Sequence, residues 1–372
     1  MKCLPQKKDR YMFSLKNKKC AIIIKIFLIF LFLATHQNIS LTSATFSTQE
    51  TIIPILTYHN FTSDESSSYK INIDKFTNQM EYLANHDFSV ISMSELIAGL
   101  TNGVFPPKPV VITIDDGYKT TYALAYPILK KYNFPATLFI YTDFIEKNDY
   151  SLTWGEIREM AENNFEIGSH TISHCNLIKL KEKETNESYL SRIRREIFLS
   201  KEILEKEIGK EIQFFAYPYG TYSPQVKQLA IQAGYKGILN VNSMNNINTD
   251  FKLFSLNRQI IFGQNSLDSF IGILSQRPLP ISEVFPIDGT ISTNQFIKVG
   301  AIFDKNNNPD TIFTMKLGGA KVKFDYDSQN RIISFTPDPN KPLIKKSYIV
   351  SITAHDKHHS DSGKTSWLMN IK

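Results

Sequence analysis

Cysteine is almost missing from this chain of 372 residues: there are three, Cys3, Cys20 and Cys175. Two of them fall in the basic, apolar N-terminal segment. If that segment is removed, Cys175 stands alone and an internal disulfide is excluded. Long apolar runs are lacking as well. The longest, residues 21–34, is interrupted by Lys25 and is shorter than the roughly 20 residues needed to span a bilayer. Net positive charge is lacking outside the N-terminus. Lys2, Lys7, Lys8, Arg10, Lys16, Lys18, Lys19 and Lys25 face only Asp9 within residues 1–44, so the whole of the formal +6 charge belongs there. With the remainder near neutral, a nucleic-acid partner loses its electrostatic footing. No internal repeat or low-complexity tract stands out.

What is present at the N-terminus fits a secretory signal: a basic region, an apolar stretch, and small residues Thr42 and Ala44 placed for cleavage after Ala44. The alternative is an uncleaved anchor that ties the chain to a membrane or cell envelope. Either way residues 1–44 are expected to export the protein, to a periplasm, a cell envelope or the medium. The whole chain is 42% hydrophobic, enough for real cores, and its length allows two domains.

From about residue 52 to 278, strand-like and helix-like segments alternate. Strands are expected at 52–59, 88–92, 110–115, 136–142, 166–170 and 213–217. Helices are expected at 74–85 with an Asp cap, 94–100, 120–132, 153–163, 187–208 and 224–233. Repeated βα units argue for a mainly parallel sheet or barrel with its site at the strands' C-terminal ends. Beyond Arg277-Pro278-Leu279-Pro280 the texture changes. Short alternating runs at 296–303, 311–317, 321–326, 331–335, 347–354 and 367–371 are split by turn residues, the pattern of a small all-β sandwich. The expected fold is therefore α/β over 45–278 followed by all-β over 279–372, with 278–286 as linker.

Three strings carry chemistry. The first is Val110-Val111-Ile112-Thr113-Ile114 running into Asp115-Asp116-Gly117-Tyr118. Two adjacent acids at a buried strand end repel each other unless a positive charge divides them. A metal ion does this, leaving one acid as ligand and the other as base; a helix-capping Asp is the plainer alternative. Adjacent strand residues point oppositely, so Gly117 is expected to turn the chain. The second string, Gly168-Ser169-His170-Thr171-Ile172-Ser173-His174, spaces two imidazoles four apart. Such a pair shares one metal if the segment is helical. Thr171 stands where the zinc-metalloprotease pattern needs Glu, which excludes that class. Cys175 next door reads as packing rather than ligand. The third string, Tyr217-Pro218-Tyr219-Gly220, is a turn that can offer a backbone N–H to an oxyanion.

In order and spacing, residues 113–118, 170–174 and 218–220 resemble the first three motifs of the polysaccharide deacetylase (NodB-like) family, carbohydrate esterase family 4. The resemblance covers roughly residues 52–278. It implies a distorted (β/α) barrel that deacetylates N-acetylated sugars. By motif position it implies Asp115 as base, Asp116, His170 and His174 as ligands of a divalent metal, and the Tyr219 N–H as oxyanion donor. Zinc is the first choice of metal, and cobalt, nickel or iron suit the same donors. The C-terminal part resembles immunoglobulin-like modules of bacterial envelope proteins.

This chain departs from the family pattern. Ile114 replaces the usual Phe. Ala216 occupies the position of an Arg that orients the catalytic Asp. The late motif with the catalytic acid His is missing, since no His occurs between His174 and His355, yet the departing amine needs a proton. His59, in Tyr58-His59, resembles the N-terminal Tyr-His of the subgroup that includes poly-N-acetylglucosamine deacetylases, where it replaces the late His. A structural hydrogen bond is its other open role. Arg258 either orients an acid in place of the absent Arg or forms a surface ion pair. His355, His358 and His359 read as a solvated loop. Tyr118, Trp154 and Tyr219 are candidates for stacking on sugar rings.

The expected function is metal-dependent removal of N-acetyl groups from an N-acetylhexosamine polysaccharide. Hydrolysis of another acyl bond, an O-acetyl ester or a cyclic amide, is the alternative within the fold. A non-catalytic glycan-binding envelope protein is the alternative outside it.

Overall fold

The computed structural model describes residues 50–371, except 293–296, 305–309, 339, 341–342, 344, 346 and 356–361. The expected leader, His358 and His359 lie outside the described residues. Among those described, no helix is long and apolar enough to cross a membrane.

Eight strands form the N-terminal sheet: β1 (Ile55–Tyr58), β2 (Ser89–Ile91), β3 (Pro109–Asp116), β4 (Ala136–Ile140), β5 (Phe165–Ser169), β6 (Phe214–Ala216), β7 (Gly237–Leu239) and β8 (Gln259–Ile260). The order is β7-β6-β5-β4-β3-β1-β8, with β2 beside the first residues of β3, and every pairing is parallel. The segment leading into β8 nearly closes the ring. Asn240 N–H donates to Leu256 O, and Leu256 N–H to Ile238 O, so residues 253–257 run along β7 before β8 pairs with β1. The result is a distorted parallel barrel.

Its centre is β3, where Val110, Val111, Ile112 and Ile114 are fully buried. Each such side chain contributes roughly 1.5–3 kcal/mol on burial, and β-branched residues suit a strand covered on both faces. One strand position of this core requires glycine for lack of room. A Cβ on Gly168 of β5 would come within 2.4 Å of the Phe139 ring. Helices Ile73–Asn85, Trp154–Glu162 and Asn186–Ile208 pack their apolar sides on the sheet through Phe76, Met80, Ile157, Met160, Ile193 and Ile197.

Two local expectations need correction. The helix at Ile73–Asn85 is capped by Asn72, whose side chain accepts from Asp74 and Lys75 N–H; Asp74 lies in the first turn, where its charge favours the helix dipole. The segment expected as one helix over 120–132 is a π-turn at Thr121–Ala125 followed by an α-helix at Tyr126–Lys131. Pro127 has no N–H to give the preceding turn, and Tyr126 N–H reaches back five residues to Thr121 O.

The C-terminal part is built of β9 (Ile281–Phe285), β10 (Val299–Phe303), β11 (Ile312–Leu317), β12 (Ala320–Lys321), β13 (Asp325–Asp327), β14 (Ile332–Phe335), β15 (Ser347–His355) and β16 (Ser362–Ile371). One sheet runs β9-β10-β14-β13; the other contains β16-β15-β11-β12. Val299, Ala301, Phe303 and Ile333 from the first share an apolar cluster with Met315, Val350, Ile352, Trp367 and Met369 from the second.

This part is joined to the barrel by a polar network around Asp288. Its carboxylate accepts from Tyr222 Oη, from Asn242 Nδ2 at 3.2 and 3.3 Å, and from Leu368 N at 2.8 Å. Asn370 Nδ2 donates to Tyr222 O and Gly289 O, both at 2.9 Å. Buried polar groups with this many partners fix one geometry, because any shift leaves several of them unsatisfied.

Candidate metal and catalytic site

The C-terminal end of β3 delivers the two acids. Asp115 keeps strand geometry, whereas Asp116 already turns, at φ 79°, with Gly117 following at φ 99°. The turn expected at Gly117 therefore begins one residue earlier, and this brings both carboxylates into one site. Two strands along the sheet, β5 ends at Ser169, and His170 N–H donates to Ile140 O of the intervening β4.

The His170–His174 segment is a loop rather than a helix, contrary to the geometry expected for a shared metal. Thr171 (φ 74°) and His174 (φ 54°) both take left-handed backbone. For a β-branched residue such as Thr171 this is a true outlier. Tyr219 joins them at φ 60°. Strain of about 1–3 kcal/mol per such residue survives only where surrounding contacts over-determine it, and here they do. The buried Glu196 carboxylate accepts from Ile172 N and Ser173 N, each at 3.0 Å, and from Ser173 Oγ at 2.7 Å. Thr171 Oγ1 accepts from His174 N at 3.0 Å.

The outcome is a three-donor cluster. Asp116 Oδ1 lies 3.4 Å from His174 Nε2 and 3.8 Å from His170 Nε2, and Asp116, His170 and His174 each offer an atom within 4.8 Å of the others. His170 Nδ1–H donates to Ala216 O at 2.7 Å, which fixes the ring and leaves Nε2 as the free donor, as in protein metal sites. Burial pushes His170 down to about 3 and lowers His174, so both rings are neutral, the form that binds a metal. Asp116 Oδ1 is buried without a hydrogen-bond partner. Burial and the adjacent Asp115 push the Asp116 carboxyl up to about 7. A divalent cation at these atoms supplies the missing partner and reverses that push. The residues present fit such an ion.

Asp115 has a different environment. Arg258 Nη1 donates to its Oδ1 at 2.7 Å and Nη2 to its Oδ2 at 2.8 Å. Burial raises the carboxyl, but the Arg258 guanidinium, by its charge and its hydrogen bonds, leads the effects that outweigh burial and hold Asp115 below its usual range. Arg258 is fully buried, also donating through Nε to Asn240 O at 2.9 Å and lying over the Phe139 ring. Its surface-ion-pair alternative is thereby removed.

His59, at the end of β1, lines the same cleft as Asp115, Asp116, His174, Tyr118 and Tyr219. Its Nδ1 is buried without a partner, so no structural hydrogen bond uses that atom. Burial lowers its pKa against the pull of Asp115. Tyr219 is 61% exposed at the rim, its ring against His174. Trp154 does not line the cleft; it opens a helix and packs on the barrel core. Two aromatic residues not anticipated from the sequence take that place. Tyr69, beside His59, and Phe262 form an exposed tilted pair with ring centroids 5.5 Å apart. Their loops carry no motif, and the signal available was their exposure alone. Cys175 is half-buried next to Arg192 and takes no part in the cluster.

Comparison with known proteins agrees with this geometry. Residues 102–238 match the family model described as polysaccharide deacetylase. Over 187 residues, 48% of this chain, the sequence is 31% identical to the poly-beta-1,6-N-acetyl-D-glucosamine N-deacetylase of Staphylococcus aureus (strain MRSA252), and the match spans 64% of that protein. Among solved structures, the Streptococcus pyogenes deacetylase PplD in complex with acetate is similar with a TM-score of 0.55 and 27% identity, covering 61% of this chain and 100% of that one. The de-N-acetylase from Aggregatibacter actinomycetemcomitans shares the fold, with a TM-score of 0.54 at 22% identity over 60% of this chain and 99% of that one.

Proposed function

We propose that the polysaccharide deacetylase domain carried by this chain removes N-acetyl groups from an N-acetylhexosamine polymer, with release of acetate. The observation that carries this reading is a carboxylate held ionised by Arg258 directly beside a separate Asp116–His170–His174 donor set. One acid is kept free as a base while its neighbour is left to a metal. The N-acetylglucosamine polymer named for the Staphylococcus aureus relative and the acetate in the Streptococcus pyogenes structure support the substrate class and the acyl group.

Asp116, His170 and His174 would hold the divalent cation, zinc by first choice. Bound there, it supplies Lewis acidity to the amide carbonyl and to the attacking water. Asp115 removes the water's proton as the C–O bond forms, and Arg258 keeps it ionised and aimed. The Tyr219 backbone N–H donates to the oxyanion of the tetrahedral intermediate. His59 gives a proton to the departing nitrogen as the C–N bond breaks. Tyr118, Tyr219 and the Tyr69–Phe262 pair offer apolar faces to sugar rings.

We also read residues 279–372 as an immunoglobulin-like module. Residues 1–44 we read as an export signal or anchor, which makes the enzyme periplasmic, envelope-bound or secreted.

The test is acetate release from β-1,6-linked N-acetylglucosamine oligomers, chitin oligomers, peptidoglycan and acetylated xylan. The metal-stripped chain is compared with the chain reloaded with Zn, Co, Ni or Fe. Metal-restored release from an N-acetylated glycan is expected. Release from xylan alone would transfer the site to ester hydrolysis, and silence on all four with metal bound would overturn the reading.

A further inference from the structure

The C-terminal sheet turns its polar face into the catalytic cleft. Strand side chains alternate between faces. Met315 and Leu317 of β11, Val350 and Ile352 of β15, and Trp367 and Met369 of β16 all enter the apolar cluster. The intervening residues Lys316, Ser351, Thr353, Lys364 and Ser366 make up the opposite face. On a free-standing module that face meets only water. Here it lines, together with His59, Asp115, Asp116 and His174, a single cleft of about 1000 Å³.

Direct contacts hold it against the barrel. Lys364 Nζ donates to Ser243 Oγ at 2.7 Å, and Ser366 Oγ to Ser243 O at 3.3 Å. The Asp288 network anchors the same strand through Leu368 N.

Ammonium groups dominate this wall: the C-terminal part contributes Lys316, Lys345 and Lys364, Lys70 of the barrel lines the same cleft, and Lys316 and Lys364 are the two that stand on the strands either side of β15. Lys316 pairs with Ser351, and Lys364 with Thr353 two residues on, so the lysines flank β15 on the same face. Among the described residues, neither forms an ion pair with a carboxylate. Burial, with Lys316 nearby, lowers Lys364 to about 8. The carboxylates that line the cleft next to the catalytic groups, Asp115 and Asp116, are committed to Arg258 and to the metal donors. Two like charges facing one half-enclosed space are costly unless an anion arrives between them. A neutral glycan offers them only hydroxyls.

We propose that Lys316 and Lys364 form a subsite for an acidic substituent, a carboxylate or a phosphate, carried by the glycan close to the acetamido group being hydrolysed. The inference rests on the deacetylase reading for its substrate class, and makes the C-terminal module a determinant of specificity.

Its test measures binding and acetate release on the same zinc-loaded samples of the full chain. Three N-acetylated oligosaccharides of equal length are compared: neutral, carboxylate-bearing and phosphate-bearing. The wild type is expected to bind an acidic oligosaccharide about tenfold more tightly than the neutral one at low salt, the scale of one charge-assisted hydrogen bond. The stronger acidic arm identifies the substituent. That ratio falls towards one in the Lys316→Gln/Lys364→Gln double variant and survives in Lys316→Arg/Lys364→Arg. A ratio internal to each variant is insensitive to general loss of folded protein. Equal binding of neutral and acidic oligosaccharides by the wild type, or a preference that survives the Gln substitutions, overturns the subsite. A preserved preference without acetate release contradicts the deacetylase reading and leaves the subsite standing; release without preference does the reverse.

Discussion

Arg258 grips Asp115 through two parallel hydrogen bonds of 2.7 and 2.8 Å across 143 residues of sequence. The segment carrying Arg258 closes the barrel between β7 and β1, so the pair joins the last strand of the ring to its central one. The cation that orients Asp115 thus comes from the segment leading into β8. Bidentate Arg–carboxylate geometry fixes the acid's orientation as well as its charge.

Replacing Arg258 by Gln should therefore act on the base without emptying the metal site. Arg258 lowers the Asp115 pKa, so its loss raises it. A base works only when ionised, and the acid limb of the kcat/KM profile accordingly moves to higher pH. Activity at neutral pH should fall about 10²–10³-fold, the scale of a lost catalytic proton transfer. The pH–rate profile, read alongside zinc content, checks this. An unmoved limb would mean that Arg258 serves the fold alone.

Asp116→Ala and His170→Ala each remove one of the three candidate metal donors. Zinc affinity should fall at least about 100-fold, the upper end of what loss of a mere outer partner costs. Titration against a competing chelator reads it. Full zinc occupancy in His170→Ala would contradict the ligand set.

Glu196 touches no candidate donor atom, yet it holds the strained loop between the two histidines by three hydrogen bonds. Glu196→Ala should lower the melting temperature and weaken zinc binding by about 10–100-fold. Its effect on affinity distinguishes a loop-positioning role from a general contribution to the core, which would change the melting temperature alone.

Asp288→Ala strips the partner from Asn242 Nδ2 and the Leu368 N–H at the junction of the two parts, and leaves Tyr222 Oη with Ser255 Oγ alone. Leaving such groups unsatisfied costs about 1–3 kcal/mol each at most. Chemical denaturation should show a loss of about 2–5 kcal/mol, or a split into two transitions as the parts uncouple. An unchanged single transition would show that the network contributes little.

Much of the site was legible in the sequence because its chemistry lies in short strings at strand ends. Asp115, Asp116, His170 and His174 converge as their motifs imply, and the parallel βα order follows from alternating periodicities. What the sequence did not show comes from backbone geometry and long-range packing. The positive φ of Thr171 runs against its residue type, and the mild enrichment of Asp and His at such angles is too weak a signal to single out Asp116 or His174. Arg258 sits in no motif; the sequence left it two roles, orienting an acid or a surface ion pair, and the closing of the ring selects the first. Trp154 was selected for its side chain, but a capped helix carries it away from the cleft, and Tyr69 and Phe262 arrive from loops instead. The outward face of β15 reads as an ordinary polar strand face until the module's docking turns it toward the catalytic residues.

The central claim is that Asp115 acts as base beside an intact metal site. Its most direct test is acetate release from an N-acetylated oligosaccharide by Asp115→Asn, with zinc content measured on the same sample. Zinc bound as in the wild type, with release reduced by about 10²-fold or more, is the predicted result. Undiminished release with zinc bound would contradict the account.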